Sequence, residues 1–194
     1  MRYEVKCVKI LSFAVISMQA KLPDTCMRST GENAMEIRKT QPEELDTVMD
    51  IYAYARDFMA RTGNPNQWGT TKPAREQIIA DIAAGNSYVC VDQDRIAAVF
   101  FYSEEPDPTY HTIYGGNWLN DRPYGVVHRI ASAGTVKGAG SYCLNWAFSQ
   151  CGNLKIDTHH DNLVMQHTLQ KNGFVSCGII HLANGDPRIA YQKI

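Results

Sequence analysis

A strand that runs through a small-residue turn into a helix, and from there into a second strand, limits what this chain can become. The segment "GVVHRIAS" (residues 125–132) is an apolar strand and "AGTVKGAG" is the turn after it. Residues 141–151 then repeat apolar positions at helical spacing through Leu144, Ala147, Phe148 and Cys151, and "LKIDTH" is again a strand. Two strands joined by one helix pair in parallel through a right-handed crossover, so the sheet must hold a parallel pair.

The remaining segments fit around that unit. "MEIRKT", from Met35, is a short strand, and Thr40-Gln41-Pro42-Glu43 fits a capping box, with Thr40 as cap and Glu43 reaching back. Leu45, Val48, Met49, Ile51, Tyr52, Ala55, Phe58 and Met59 then mark a helix that Gly63 stops. "GNPNQWGTTKP" is a loop carrying Trp68, and residues 73–84 resume helical spacing through Ile78, Ile79 and Ile82. "SYVCVD" and "RIAAVFFYSEE" flank Gln93-Asp94 as a hairpin. "PDPTYHTIYGGNWLNDRPY" is an irregular, aromatic-rich insertion; residues 162–171 form a helix; "FVSCGIIHL" and "RIAYQKI" close the fold around Asn184-Gly185. The order gives an α/β (α+β mixed-sheet) fold, with a central mixed, mostly antiparallel sheet flanked by helices.

Length and composition narrow the function. At 194 residues and 44% hydrophobic content the chain suits one well-buried domain. A net charge of -1, with no basic stripe, argues against a nucleic-acid partner. The six cysteines form no CxxC pair, which reads as reduced, cytoplasmic and without a zinc site. The apolar run at residues 7–18 contains a lysine and is too short to span a membrane; its alternative reading is the apolar part of a signal peptide. The preferred division is a weakly structured N-terminal extension over 1–34 and a folded domain over 35–194.

The glycine turn points to a phosphate. Backbone N–H groups at a helix start lack intrahelical partners and sit at the positive end of the helix dipole, while Gly138 and Gly140 let an anion approach the main chain. A Walker loop is excluded, because Lys137 precedes the glycines and no lysine lies between Gly140 and Ser141. A dinucleotide fingerprint is excluded for want of a third glycine. An ordinary strand-to-helix turn is the alternative.

Two stretches, "TVKGAG" and "NLVMQHTLQKNGF", together resemble the GNAT superfamily of acyl-CoA-dependent N-acyltransferases. The family's [QR]xxGx[GA] loop aligns with residues 135–140, and its asparagine followed by Gly-Phe aligns with Asn162, Gly173 and Phe174. The looser stretches "QW", "YHTIYGGNW", "PYGVVHRIA" and "DTHHDN" are similar to a bacterial branch with largely unassigned substrates. The resemblance implies a GNAT-type fold over residues 35–194 and acetyl-CoA as co-substrate, without a metal. It implies that the amides of Val136, Lys137, Gly138, Ala139, Gly140 and Ser141 hold the pyrophosphate, that Ile130, Ala131 and Ser132 pair with the pantetheine arm, and that Asn162 contacts it. Thr135 replaces the usual Gln or Arg, and Leu169 stands where the family often places a general-acid tyrosine.

Acetylating an amine requires removal of a proton, and a thiolate leaving group benefits from an acid. His128 is the first candidate base, because histidine titrates near neutrality; a structural histidine is the alternative. Glu104 and Glu105 end the preceding strand and face the insertion. Tyr110, Tyr114 and Trp118 are candidates for the amine pocket or the missing acid, unless they only pack the insertion down. Trp68 is a candidate lid over the acceptor. Arg129 should point away from His128 into a structural ion pair. His159 and His160, with Asp157 and Asp161, are set aside as metal ligands because adjacent strand side chains diverge. The expectation is an N-acetyltransferase acting by direct attack on a primary amine of a small molecule or peptide, with no membrane partner and room for a homodimer. The rivals are a catalytically inactive acyl-CoA-binding sensor and a protein-interaction module.

Overall fold

Seven strands form one mixed sheet in the order β1-β2-β3-β4-β5-β7-β6 in this computed structural model, which describes residues 35–194. The elements are β1 (Glu36–Lys39), α1 (Leu45–Arg61), α2 (Arg75–Ala83), β2 (Ser87–Asp92), β3 (Arg95–Ser103), β4 (Gly125–Ser132), α3 (Ala139–Cys151), β5 (Leu154–Thr158), α4 (Leu163–Lys171), β6 (Val175–His181) and β7 (Pro187–Lys193), with 3-10 turns at Pro42–Glu44 and Pro108–Tyr110. The expected extension over 1–34, with its apolar run, lies outside the described residues. No helix among the described residues is long and apolar enough to cross a membrane.

Every neighbouring pair is antiparallel except β4 and β5, which are parallel and joined through α3, the crossover the sequence demands. The β2–β3 hairpin turns on Gln93 and Asp94, both at positive φ (48° and 61°), the left-handed geometry that lets a two-residue loop follow the strand twist.

The sheet is covered on both faces. On one, α1 lays Val48, Ile51, Tyr52 and Ala55 against Val89, Val99 and Ala131, joined by Ile78 of α2. On the other, α3 lays Ala139, Cys143, Leu144 and Ala147 against Cys90, Phe100 and Tyr102, and Leu169 of α4 joins the same cluster. A third cluster of Tyr110, Val126, Ile180 and Ala190 seats the β3–β4 insertion over the far half of the sheet.

Two local expectations are corrected. The capping box is displaced by one residue: Glu44, not Glu43, accepts from the amide of Gln41 at 2.8 Å, while Thr40 is buried and its hydroxyl meets that of Ser87 at 2.8 Å. The strand before the turn holds Thr40 in the β1–β2 layer, so the next residue becomes the cap. Arg129 does not point away from His128. It has φ 52° inside β4, and from Val99 to Phe101 the partner strand advances from Ala131 to His128, one residue more. This bulge resets the alternation of side chains, so the His128 ring (5.7 Å between centroids) and the Arg129 guanidinium (4.6 Å) both lie against Phe101.

The insertion is anchored by a buried polar network. Gln192 on β7 is wholly buried; its Oε1 accepts from the amide of Leu119 at 2.7 Å and its Nε2 donates to Asn153 Oδ1 at 2.7 Å. Asn153 Nδ2 in turn donates to Asn120 Oδ1 and to the carbonyls of Arg122 and Pro123. Gln192→Leu strands the buried Asn153 acceptor and frees the Leu119 amide, and is expected to lower unfolding stability by about 2 kcal/mol in denaturant titration.

Candidate functional site

β4 and β5 share a ladder only at Gly125↔Leu154 and Val126↔Lys155. Beyond that point β4 continues to Ser132 and β5 to Thr158 with no pairing between them. The gap opens a cleft of about 690 Å³ that reaches from Trp68 and the α1–α2 loop, past His128, to Gly140 and Leu144 of α3 and Met165 of α4.

At the turn into α3, Gly138 is the helix N-cap at φ 88°. Among the described residues, the amides of Thr135, Val136, Lys137 and Gly138 donate to no internal acceptor, which suits an anion there. Gly140 lines the cleft, and a Cβ built on it would meet no protein atom within 4 Å, so a side chain at this position would occupy cleft space. Thr158, also in the wall, is 1% exposed, and its hydroxyl has no hydrogen-bond partner among the described residues. Free amides and a side-chain-free approach suit a phosphate-bearing ligand such as acetyl-CoA.

The polar group at the middle of the cleft centres on His128. Its Nε2 lies 2.8 Å from Asp107 Oδ2 and its Nδ1 is 3.8 Å from Asp157 Oδ1. Burial opposes charge on Asp107, yet hydrogen bonds from His128 and from the hydroxyl and amide of Thr109 prevail and hold its carboxyl well below the usual carboxylate range. An ionised carboxylate can only accept, so the proton of the neutral imidazole is assigned to Nε2, leaving the Nδ1 lone pair toward Asp157. Tyr110 donates its hydroxyl to Asp157 Oδ1 at 2.7 Å.

Several expected site residues are elsewhere. Tyr110 is 2% exposed and stands behind Asp157 rather than in the cleft wall; burial first, then the Asp157 charge, push its hydroxyl well above the ordinary tyrosine range, which unsuits it to be a general acid. Glu104 is exposed and accepts from Tyr102 at 3.0 Å. Glu104 lies one residue past the end of β3, and this bond ties it to Tyr102, whose ring is on the face covered by α3, opposite His128. Tyr114 is 54% exposed, bridges to Ile179 through its backbone and packs its ring on His181, outside the cleft. Trp118 is also outside, its Nε1 donating to the carbonyl of Tyr110 at 2.9 Å and its ring lying 4.0 Å from Lys155 Nζ. Leu169 is wholly buried in the core; the cleft face of α4 presents Val164, Met165 and Thr168, with no titratable group.

Others are in the cleft with partners the sequence did not disclose. Trp68 lines it and packs edge-on against Tyr52, at 5.7 Å between centroids. Ile130, Ala131 and Ser132 line it from β4. Asn162 also lines it, but its side chain is engaged: Oδ1 caps α4 by accepting from Met165 N at 3.1 Å, and Nδ2 donates to Gln67 Oε1 at 2.9 Å. The same Gln67 oxygen accepts from buried Asn64 at 2.8 Å, so one amide ties the α1–α2 loop to the start of α4. Arg129 does form the expected ion pair, to Asp81 at 2.8 Å. The rings of His159 and His160 do not diverge; they lie 4.2 Å apart because β5 has already ended, and with Asp161 their ligand atoms fall within 4.8 Å. His159 Nδ1 already accepts from the amide of Asp161. Asp107 was missed within the insertion, although Asp followed by Pro is a helix-start signature and Asp107 does cap the turn at Pro108–Tyr110.

The fold is a mixed-sheet domain split between a parallel pair of strands, and solved structures share it. No known family model matches the chain, and no curated protein does. A GNAT-family acetyltransferase from Streptococcus agalactiae is 34% identical, covering 82% of this chain and 95% of its own, with a TM-score of 0.75. An acetyltransferase from Staphylococcus aureus is 22% identical over 81% and 97% of the two chains with a TM-score of 0.61. One from Salmonella typhimurium, solved with acetyl-CoA, is 14% identical over 82% and 93% with a TM-score of 0.55; these two speak to the fold alone. This chain belongs to the GNAT family of acetyltransferases.

The depressed Asp107 carboxyl gives the site a pH signature. Its stabilising contribution is complete above the ordinary carboxylate pKa of about 4 and fades as pH falls from there toward the folded-state value. Asp107→Asn is therefore expected to melt below wild type at pH 7, with the difference shrinking as thermal midpoints are followed below about pH 4.

Proposed function

We propose that the protein is an acetyl-CoA-dependent N-acetyltransferase that acetylates a primary amine of a small molecule or peptide by direct attack, with His128 as the base. The observation that carries this reading is that the glycine turn at α3 and the His128–Asp107–Asp157 group open into one cleft.

The bound donor supplies an acetyl group activated as a thioester. The amides from Val136 to Ser141 hold its pyrophosphate, and Lys137 adds charge at the edge. The edge of β4 at Ile130, Ala131 and Ser132 faces the gap left by β5 and offers main-chain groups to an extended arm, as a missing strand would. Asn162 acts on the arm through the position of α4 and Gln67 rather than through a free amide.

At the acceptor side, Asp157 draws the substrate ammonium, and the Nδ1 of His128 takes its proton. An amine nitrogen can reach both acceptors, since they stand 3.8 Å apart. Asp107 fixes the imidazole tautomer and stabilises the imidazolium that forms, the role a carboxylate has behind a general base. Tyr110 holds Asp157 in place from behind. The new N–C bond forms as the C–S bond breaks, and the acylated nitrogen releases its second proton to solvent; with no titratable group on the cleft face of α4, the thiolate leaves as such and takes a proton from solvent. Free thiols at Cys90, Cys143, Cys151 and Cys177 suit a reducing, cytoplasmic setting.

That bare face of α4 also favours a second reading, an acyl-CoA-binding sensor without turnover. Calorimetric titration with acetyl-CoA, followed by thiol release across a panel of amines, separates the two. Binding with amine-dependent thiol release is expected; binding without release supports the sensor, and no binding ends both readings. Gly140→Val is expected to keep the fold, because φ there is not positive, and to weaken acetyl-CoA binding by filling the cleft. His128→Ala is expected to retain acetyl-CoA binding and lose about 100-fold or more in kcat/KM; undiminished turnover would remove His128 as base.

A further inference from the structure

The cleft carries a positive charge that proton transfer does not call for. Arg188 on β7 forms part of the wall with Leu182 and Asp157. It lies on the His128 side of the sheet, because its ladder partner Ile180 packs with Tyr110 and Val126. The side chain is 7% exposed. Its Nη1 donates to the carbonyl of Pro187 at 2.8 Å, and Asp186 Oδ2, on a half-exposed side chain, stands 3.8 Å from Nη2, too far for a hydrogen bond. Among the described residues the rest of the guanidinium fork donates to nothing.

None of its unpaired nitrogens is sealed from solvent, so the free edge of the fork is open to a ligand in the cleft, and its planar geometry matches a carboxylate in shape as well as charge. The other cations of the cleft wall differ. Arg129 is already matched by Asp81 at 2.8 and 3.0 Å, and Lys72 is exposed to solvent. The acceptor side therefore has two poles of opposite sign: Asp107 and Asp157 around His128, and Arg188. A ligand with an amine alone satisfies one pole and leaves the other unmet.

We infer that the acceptor carries a carboxylate together with its amine, as an amino-acid-type zwitterion does, with the ammonium at Asp157 and His128 and the carboxylate on Arg188. This rests on the acetyltransferase reading above. It also provides discrimination, since a polyamine would bring a second positive charge toward Arg188.

The test is thiol release measured with matched pairs, each an amino acid and its carboxamide, alongside calorimetry of acetyl-CoA. Wild type is expected to favour the carboxylate member by about tenfold or more in kcat/KM. Arg188→Met is expected to collapse that ratio, Arg188→Lys to retain part of it, and both to bind acetyl-CoA, which shows that they fold. Equal use of the two members by wild type, or an undiminished ratio in Arg188→Met, overturns the inference while leaving the acetyltransferase intact. Failure to acetylate any member of either class, with acetyl-CoA still bound, overturns the acetyltransferase reading and this inference with it.

Discussion

Beyond Val126 the parallel strands β4 and β5 share no hydrogen bonds, and the bulge at Arg129 on the other edge of β4 bends that strand as it leaves. The two distortions act together. Divergence exposes main-chain groups of β4 that a neighbouring strand would ordinarily take, and the bulge turns Arg129 onto the same face as His128. Arg129 in the left-handed region is strained, and its surroundings hold it there: its guanidinium is gripped by Asp81 and stacked on Phe101, and its carbonyl accepts from buried Tyr52 at 3.0 Å. Cleft, base and donor groove all follow from this one departure from regular pairing.

The layers divide the work. α3 and its glycine turn offer backbone to an anion, on the face whose core sets Phe100, Tyr102 and Phe174 beneath the small side chains of the helix. The insertion between β3 and β4 contributes Asp107 and Tyr110 on the opposite face, fixed in place by Asn153 and Gln192 beneath it. Flexible-looking sequence is thus pinned by buried amides, so that a loop can place a carboxylate with the accuracy of a strand.

The element order, the parallel crossover and the hairpin at Gln93-Asp94 were legible because each depends on local periodicity or turn chemistry. The glycine turn was legible for the same reason, lying between a strand and a helix start; His128 stood out as the histidine within the strand that leads to it. Asp107 and Gln67 were not, because both lie in irregular segments whose partners, His128 and Asn162, are distant in sequence. Glu104 is an acid at a strand end, but just past the end of β3 it turns to the hydroxyl of Tyr102, away from His128. The direction of Arg129 was not legible for the converse reason: simple alternation predicts the opposite face, and nothing in "HRIAS" announces the bulge that overrides it. Of the roles open to the insertion's aromatics, pocket wall, acid or packing, Tyr110 and Trp118 take the packing one.

Gln67 receives Asn64 and Asn162 on a single oxygen, so the loop that bears Trp68 and the helix beside the donor groove are joined by one side chain. A lineage changing its acceptor by rewriting that loop could alter Trp68 and its neighbours freely, but a change at Gln67 would disturb both halves at once. Diversification of acceptor choice in this chain therefore has a fixed point, a short-range amide relay that must survive while the sequence on either side of it drifts.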